Sequence, residues 1–203
     1  MVLPSHKNGF KFAIMASGRG SNAEVLLEAF RNNKVPGRVG VLISDHEDAP
    51  CLEIAKRYDV PSVAIPKNSL TKPEHEAKIL ECLKAHEIEH ILLAGYMRIL
   101  SAGFIEESPG TILNIHPTLL PDFKGINTAE RQCNAGVRVT GATVHEVIPD
   151  VDSGPIILQG SIEVDPTEGP DKLSERVLNE VEHVIYPRAI WLFTARKLGL
   201  LEE

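Results

Sequence analysis

The sequence predicts an α/β protein: an open, twisted, mostly parallel sheet flanked by helices, Rossmann-like in its amino-terminal half and extended by antiparallel strands at its carboxyl end. Three observations carry this reading. From Lys11 to His116, short apolar runs alternate with stripes of helical period. A glycine-rich turn, Ser17-Gly-Arg-Gly-Ser-Asn22, separates the first run from the first stripe. Beyond Gly125 the pattern changes to residues that alternate two by two, as in antiparallel strands with one buried face.

The elements follow in order. Lys11 to Ala16 is short and continuously apolar, a buried strand. Ser21 to Arg31 carries Val25, Leu26, Leu27 and Phe30 on one helical stripe. Val39–Ile43 is a second strand, Leu52–Tyr58 a short helix, Ser62–Ile65 a third strand, and Glu74–His86 a helix. His90–Ala94 and Thr111–His116 are the fourth and fifth strands, with a short helical turn around Gly103–Ile105 between them. Thr128–Ala135 reads as a helix. Val137–Val147 and Pro155–Val164 alternate as an antiparallel pair, joined by a loop shaped by Pro149, Asp150, Asp152, Ser153 and Pro155. A long helix from Pro170 to Leu198 closes the pattern, with an interruption expected around Pro187, where the ring removes a helical donor. No repeat, low-complexity tract or linker divides the chain, so residues 1–203 are expected to form one domain, with residues 1–10 a flexible amino-terminal extension.

Composition narrows the function. A chain of 203 residues with 43% hydrophobic and 24% charged residues has the means to build a substantial core. Its net charge of −7 argues against a sequence-independent grip on nucleic acid, which needs a basic face. Cys51, Cys82 and Cys133 are widely spaced and odd in number, so they form neither a disulfide framework nor a zinc pattern. Met1 to Phe10 lacks the apolar core of a signal peptide, and no apolar run reaches membrane-spanning length. A cytoplasmic location, without membrane or nucleic-acid partners, is the expectation.

The chemistry concentrates in Thr111-Ile-Leu-Asn-Ile-His-Pro-Thr-Leu-Leu-Pro121. Asn114 and His116 lie two apart, so they leave the same face of the strand side by side, and Pro117 ends the strand just after them. An amide donor beside a titratable imidazole suits acyl chemistry: one group stabilises a developing oxyanion while the other moves a proton. Asp152 is an acid available to hold that imidazole. In Ser17–Asn22 the glycines permit a tight turn that aims backbone N–H groups and a helix dipole at an anion. The third glycine of a dinucleotide fingerprint is missing at Ala23, so a single terminal phosphate fits better. A plain structural turn has the same composition. Asp45, beyond the second strand, stands where a nucleotide-binding fold carries a ribose-binding acid, although a solvated helix entry explains it more simply. Met97, Ile99 and Leu100 follow the fourth strand at the sheet edge where such folds bind ligands, as an apolar slot for a flat ring or as core packing. His145 reads as a partly buried, satisfied histidine or as a support to the site. The remaining histidines show no metal-ligand spacing, and no metal is assigned.

These motifs resemble the phosphoribosylglycinamide formyltransferases of purine synthesis. The resemblance rests on Asn114-Ile-His-Pro-Thr-Leu-Leu-Pro121, Phe123-Lys-Gly125, Thr140-Gly-Ala-Thr-Val-His145, Asp152-Ser-Gly-Pro-Ile-Ile157, Ser17–Asn22, Ala94-Gly-Tyr-Met-Arg-Ile-Leu100 and Glu182-His-Val-Ile-Tyr-Pro187, collinear from about Lys11 to Leu198. It implies the formyltransferase fold and transfer of a formyl group from 10-formyltetrahydrofolate, a co-substrate, to the amine of glycinamide ribonucleotide. It implies Asn114, His116 and Asp152 as catalytic residues, and Gly20, Ser21, Asn22 and Glu182 as ligands of the ribonucleotide. It implies Met97, Arg98, Ile99, Leu100 and Asn114 as folate-binding, with Lys72 where the family carries an arginine. One departure stands out: the family usually has a histidine at the position of Ala129.

The nearest alternative is a 10-formyltetrahydrofolate hydrolase, which uses the same trio with water as nucleophile but usually carries an extra amino-terminal domain. A methionyl-tRNA formyltransferase would add a carboxyl-terminal RNA-binding domain. A binding module would not need the acid–base set, and a nicotinamide-dependent dehydrogenase would answer to cofactor titration. As a small-molecule enzyme, the chain is expected to act as a monomer or homodimer.

Overall fold

In the computed structural model, which describes residues 9–201, a seven-stranded sheet runs in the order β3-β2-β1-β4-β5-β6-β7. The strands are β1 (Lys11–Met15), β2 (Arg38–Ser44), β3 (Ser62–Ala64), β4 (His90–Leu93), β5 (Ile112–His116), β6 (Val139–Glu146) and β7 (Ile156–Glu163). The first five are parallel, β6 runs antiparallel to β5, and β7 antiparallel to β6. This is the architecture expected from the sequence. Residues 1–8 of the expected extension lie outside the described residues, while Phe10 already packs edge-on against Phe12 and His90.

The helices are α1 (Ser21–Arg31), α2 (Pro50–Arg57), α3 (Lys72–Ala85), α4 (Ala102–Glu107), α5 (Thr128–Ala135), α6 (Pro170–Arg176) and α7 (His183–Lys197), with a π-helical segment, Val177–Glu182, between the last two. Two start earlier than apolar periodicity indicates, for local reasons. Pro50 enters α2 at its first turn, where a missing N–H costs nothing. In α3, Thr71 and Glu74 form a reciprocal capping box that brings Lys72 into the helix.

The core forms on both faces of the sheet because strand side chains alternate. From β1, Phe12 and Ile14 face a cluster with Leu26 of α1, Leu92 of β4 and Tyr186 and Phe193 of α7. Ala13 and Met15 face the other way, against Ile79 and Leu83 of α3 and Phe104 of α4. Tyr186 is fully buried, and its hydroxyl donates to the carbonyls of Leu93 (2.9 Å) and Leu113 (3.4 Å). The last helix is thereby fastened to the two strands that end at the site.

The interruption expected around Pro187 lies earlier. Pro187 sits inside α7, and the helical ladder instead widens over Val177–Glu182, where His183 N–H bonds the Leu178 carbonyl five residues back. The wide turn just upstream gives the chain slack where the proline ring crowds the preceding carbonyls, so the break is displaced by about one turn. Among the described residues, no helix is long and apolar enough to cross a membrane.

The strand order reverses between β1 and β4: the chain moves outward through β2 and β3, then returns to the other side of β1. A crevice opens at the carboxyl ends of strands wherever this happens.

Candidate active site

A cavity of about 490 Å³ occupies that crevice. Its walls include Asn22 of α1, the segment Gly95–Leu100 after β4, Asn114–Pro117 at the end of β5, Gly125–Thr128, Asp152 and Glu182. The antiparallel pairing of β5 with β6 places Asn114 opposite His145 and His116 opposite Thr143. Asn114, His116 and His145 therefore share one face, as alternation requires.

His116 is held on both ring nitrogens. Nε2 lies 3.1 Å from the Phe123 carbonyl, which can only accept, so that nitrogen carries a proton. Nδ1 faces Asp152 Oδ2 at 3.4 Å, longer than a good hydrogen bond. The Nδ1 edge is thus where a proton is gained or released. Burial pushes the His116 imidazole below the ordinary histidine value; Asp152 and the Phe123 carbonyl pull it up, while His145 and Arg131 push it further down. Asp152 favours the charged imidazole, but with the ring 7% exposed desolvation outweighs the pair.

Asp152 is itself braced. Burial opposes its ionisation, but His145, the Gly125 N–H at 2.9 Å and His116 together hold its carboxyl below the usual range. Its backbone is left-handed, with φ of 50°. His145 is buried and sits between the other groups: Nδ1 is 2.9 Å from the Glu146 carbonyl, and Nε2 lies 3.3 Å from Asn114 Nδ2 and 3.6 Å from Asp152 Oδ1. Through Nε2 the ring stands within reach of both the Asn114 amide and the Asp152 carboxylate, and so ties the placement of one to that of the other. Sequence reasoning left His145 between structural and supporting roles. The signal that would have promoted it is the register of two strands, visible only once they are paired.

At the other end of the cavity, Asn22 Nδ2 donates to Glu182 Oε2 at 2.5 Å, with both residues buried. Burial raises the Glu182 carboxyl above its ordinary value, partly offset by that bond. The Asn22 carbonyl oxygen has no protein partner among the described residues. Gly20 and Ser21 open α1 just before Asn22 but do not line the cavity. Gly20 has φ of 80°, and a Cβ there would stand 2.6 Å from that of Cys51. A glycine is required, and the first N–H groups of α1 are left free of helical partners.

The segment after β4 is pinned at several points. Met97 N–H bonds Ser17 Oγ at 2.9 Å, Arg98 Nε bonds Asp45 Oδ2 at 2.6 Å, and Ser101 N–H bonds Glu76 at 2.9 Å. Met97 and Ile99 are exposed at the cavity mouth, whereas Leu100 is buried. Asp45 is not the solvated helix entry that its acidic neighbours suggested. It is 3% exposed and ion-paired with Arg98, a partner fifty-three positions away that no local pattern reveals. Lys72 does not line the main cavity. It borders a smaller one, about 320 Å³, behind Met97–Leu100, with Nζ 3.9 Å from Glu76.

Known proteins resemble this chain over most of its length. The formyl transferase family matches residues 10–190. The phosphoribosylglycinamide formyltransferase of Bacillus subtilis (strain 168) is 39% identical over 181 residues, 89% of this chain and 92% of that protein. The trifunctional purine biosynthetic protein adenosine-3 of Homo sapiens is 38% identical over 198 residues, 97% of this chain but 20% of that protein. Among solved structures, glycinamide ribonucleotide transformylase 1 from Symbiobacterium toebii matches with a TM-score of 0.89 at 38% identity, covering 95% of this chain and 90% of that one.

Proposed function

The chain belongs to the formyl transferase family, and on that premise we propose that it moves a formyl group from 10-formyltetrahydrofolate to the primary amine of glycinamide ribonucleotide in purine biosynthesis. The observation that carries this reading is the meeting of Asn114, His116 and Asp152 on one cavity wall, between an apolar segment and a buried Asn22–Glu182 pair.

The chemistry follows from those groups. The amine nitrogen attacks the formyl carbon, and a tetrahedral intermediate carries negative charge on oxygen. Asn114 Nδ2 and the protonated Nδ1 edge of His116 stabilise that oxygen, and a donor of this kind contributes roughly 3 kcal/mol. Asp152 favours the charged imidazole, and a water beside it relays the proton from the attacking nitrogen to the departing folate nitrogen. The bond from that nitrogen to the formyl carbon then breaks. Gly20, Ser21 and Asn22 receive the ribonucleotide phosphate at the helix start, and Glu182 takes a hydroxyl or the amine. Met97, Arg98, Ile99 and Leu100, with Asn114, hold the pterin ring. Lys72, behind that segment, attracts the carboxylate tail as a point charge. In this reading the protein works in the cytoplasm as a single domain, a monomer or homodimer acting on small molecules.

An absorbance assay for tetrahydrofolate, run with and without glycinamide ribonucleotide, tests the proposal. Release only with the amine is the expected result. Release at the same rate without it would mean that water is the acceptor and would overturn the transferase reading.

A further inference from the structure

The loop Phe123 to Asn127 holds both members of the His116–Asp152 pair, through the Phe123 carbonyl to His116 and the Gly125 N–H to Asp152. It is poorly suited to hold itself. Phe123, Gly125 and Asn127 all adopt left-handed backbone, with φ of 54°, 84° and 54°, a conformation that costs side-chain-bearing residues energy. Lys124 to Asn127 are exposed. Ala129 contributes only a methyl group packed against the core.

Arg131, in the first turns of α5, reaches back over this loop. Its Nη1 donates to the Lys124 carbonyl at 2.6 Å and makes a longer contact, 3.4 Å, with the Ile126 carbonyl. Its guanidinium lies 5.6 Å from the centre of the Phe123 ring. Among the described residues it forms no ion pair with a carboxylate, so its charge is spent on carbonyls and a ring face. We propose that Arg131 is a positioning residue for formyl transfer: it clamps the 123–127 loop and, through that loop, fixes His116 and Asp152 against each other. The inference rests on the transferase reading and deepens it, by naming what stabilises the loop in a chain with alanine at position 129.

The charged and titratable groups facing His116 are Asp152, His145 and Arg131, and Arg131 disfavours the imidazolium. A variant that keeps the charge at position 131 but frees the loop therefore reads the clamp alone, through withdrawal of the Phe123 carbonyl and Asp152 that favour the imidazolium. In Arg131→Gln, kcat should fall roughly ten- to a hundredfold, as a displacement of reacting groups by about an ångström would cause, with KM for either substrate little changed. Arg131→Lys keeps the charge but loses the fork, so it should lose kcat and move the His116 titration, followed by NMR, downward. A thermal melt of both variants separates these effects from unfolding. A kcat within about twofold of wild type in Arg131→Gln, or an Arg131→Lys titration of His116 that does not move downward, overturns the proposal. The titration needs no substrate. It reads the clamp even if the wild-type protein failed to formylate the ribonucleotide, which would sink the transferase reading instead.

Discussion

Replacing Asp152 by asparagine isolates the charge of the His116–Asp152 pair. Asparagine keeps an oxygen that accepts from the Gly125 N–H, so the loop anchor survives while the negative charge is lost. At the 3.4 Å separation of His116 Nδ1 and Asp152, with an effective dielectric of about 20, two unit charges attract by about 5 kcal/mol. That is an upper bound, because the carboxylate also serves His145 and Gly125; a carboxylate at this range usually shifts its neighbour by about 1 to 3 pKa units. The His116 imidazole already lies below its ordinary value through burial, and the substitution should lower it further. The sign of the rate effect follows. Below both pKa values the imidazole is charged in both proteins and their rates converge. Above both, the charged fraction differs tenfold per unit, so turnover at about pH 8 should fall on the order of ten- to a thousandfold. The assay is kcat against pH from tetrahydrofolate release, with NMR titration of His116 in both proteins. A rate ratio that stays constant across the pH range, with an unmoved imidazole, would refute the electrostatic role and leave Asp152 as a brace for its loop.

Three further outcomes are expected. Asn114→Ala removes one oxyanion donor and should slow turnover by about a hundredfold at saturating substrate; a loss smaller than about fivefold would remove Asn114 from the chemistry. Gly20→Ala forces a side chain into φ of 80° and against Cys51, so it should lower stability by more than about 2 kcal/mol, read as a shifted urea midpoint; an unshifted midpoint would show that the turn tolerates what its geometry forbids. Burial lowers the pKa of His90, His116 and His183, so the folded state binds fewer protons than the unfolded chain. Their contribution is complete above about pH 6.5 and is lost as pH falls through the depressed values, with Asp152 adding a further loss at lower pH. Glu182, raised by burial, runs the other way, one group against three. The melting temperature should therefore drop between about pH 7.5 and 5.5, and a flat profile would contradict this balance.

Much of this was legible in the chain because its signals are local. The two-residue spacing of Asn114 and His116 and the stop at Pro117 identify a site at a strand end, and the glycines around Arg19 mark the turn into α1. What escaped depends on distant partners. Asp45 reads as a surface acid until Arg98 is brought beside it by the return from β3 to β4. His145 becomes informative only through its register with Asn114. The net shift of His116 could not be signed from its neighbour alone, because burial belongs to the whole fold. Pro187 signalled a disturbed helix correctly, but where the disturbance settled was decided by packing: Tyr186 beside it is locked to two strands, so the slack moved upstream.

The bond between Asn22 and Glu182 spans 160 positions of sequence. Closing so long a loop is entropically costly, which favours contacts nearer in sequence forming first. The parallel half of the sheet, built from strands β1 to β5, is complete in sequence by His116, well before α7 is made. The strands that make the floor of the cavity thus all precede in sequence the segment that closes its far wall, and the Asn22–Glu182 end of the cavity comes into being only when that last segment docks. During refolding, sheet signal should return before ribonucleotide binding does.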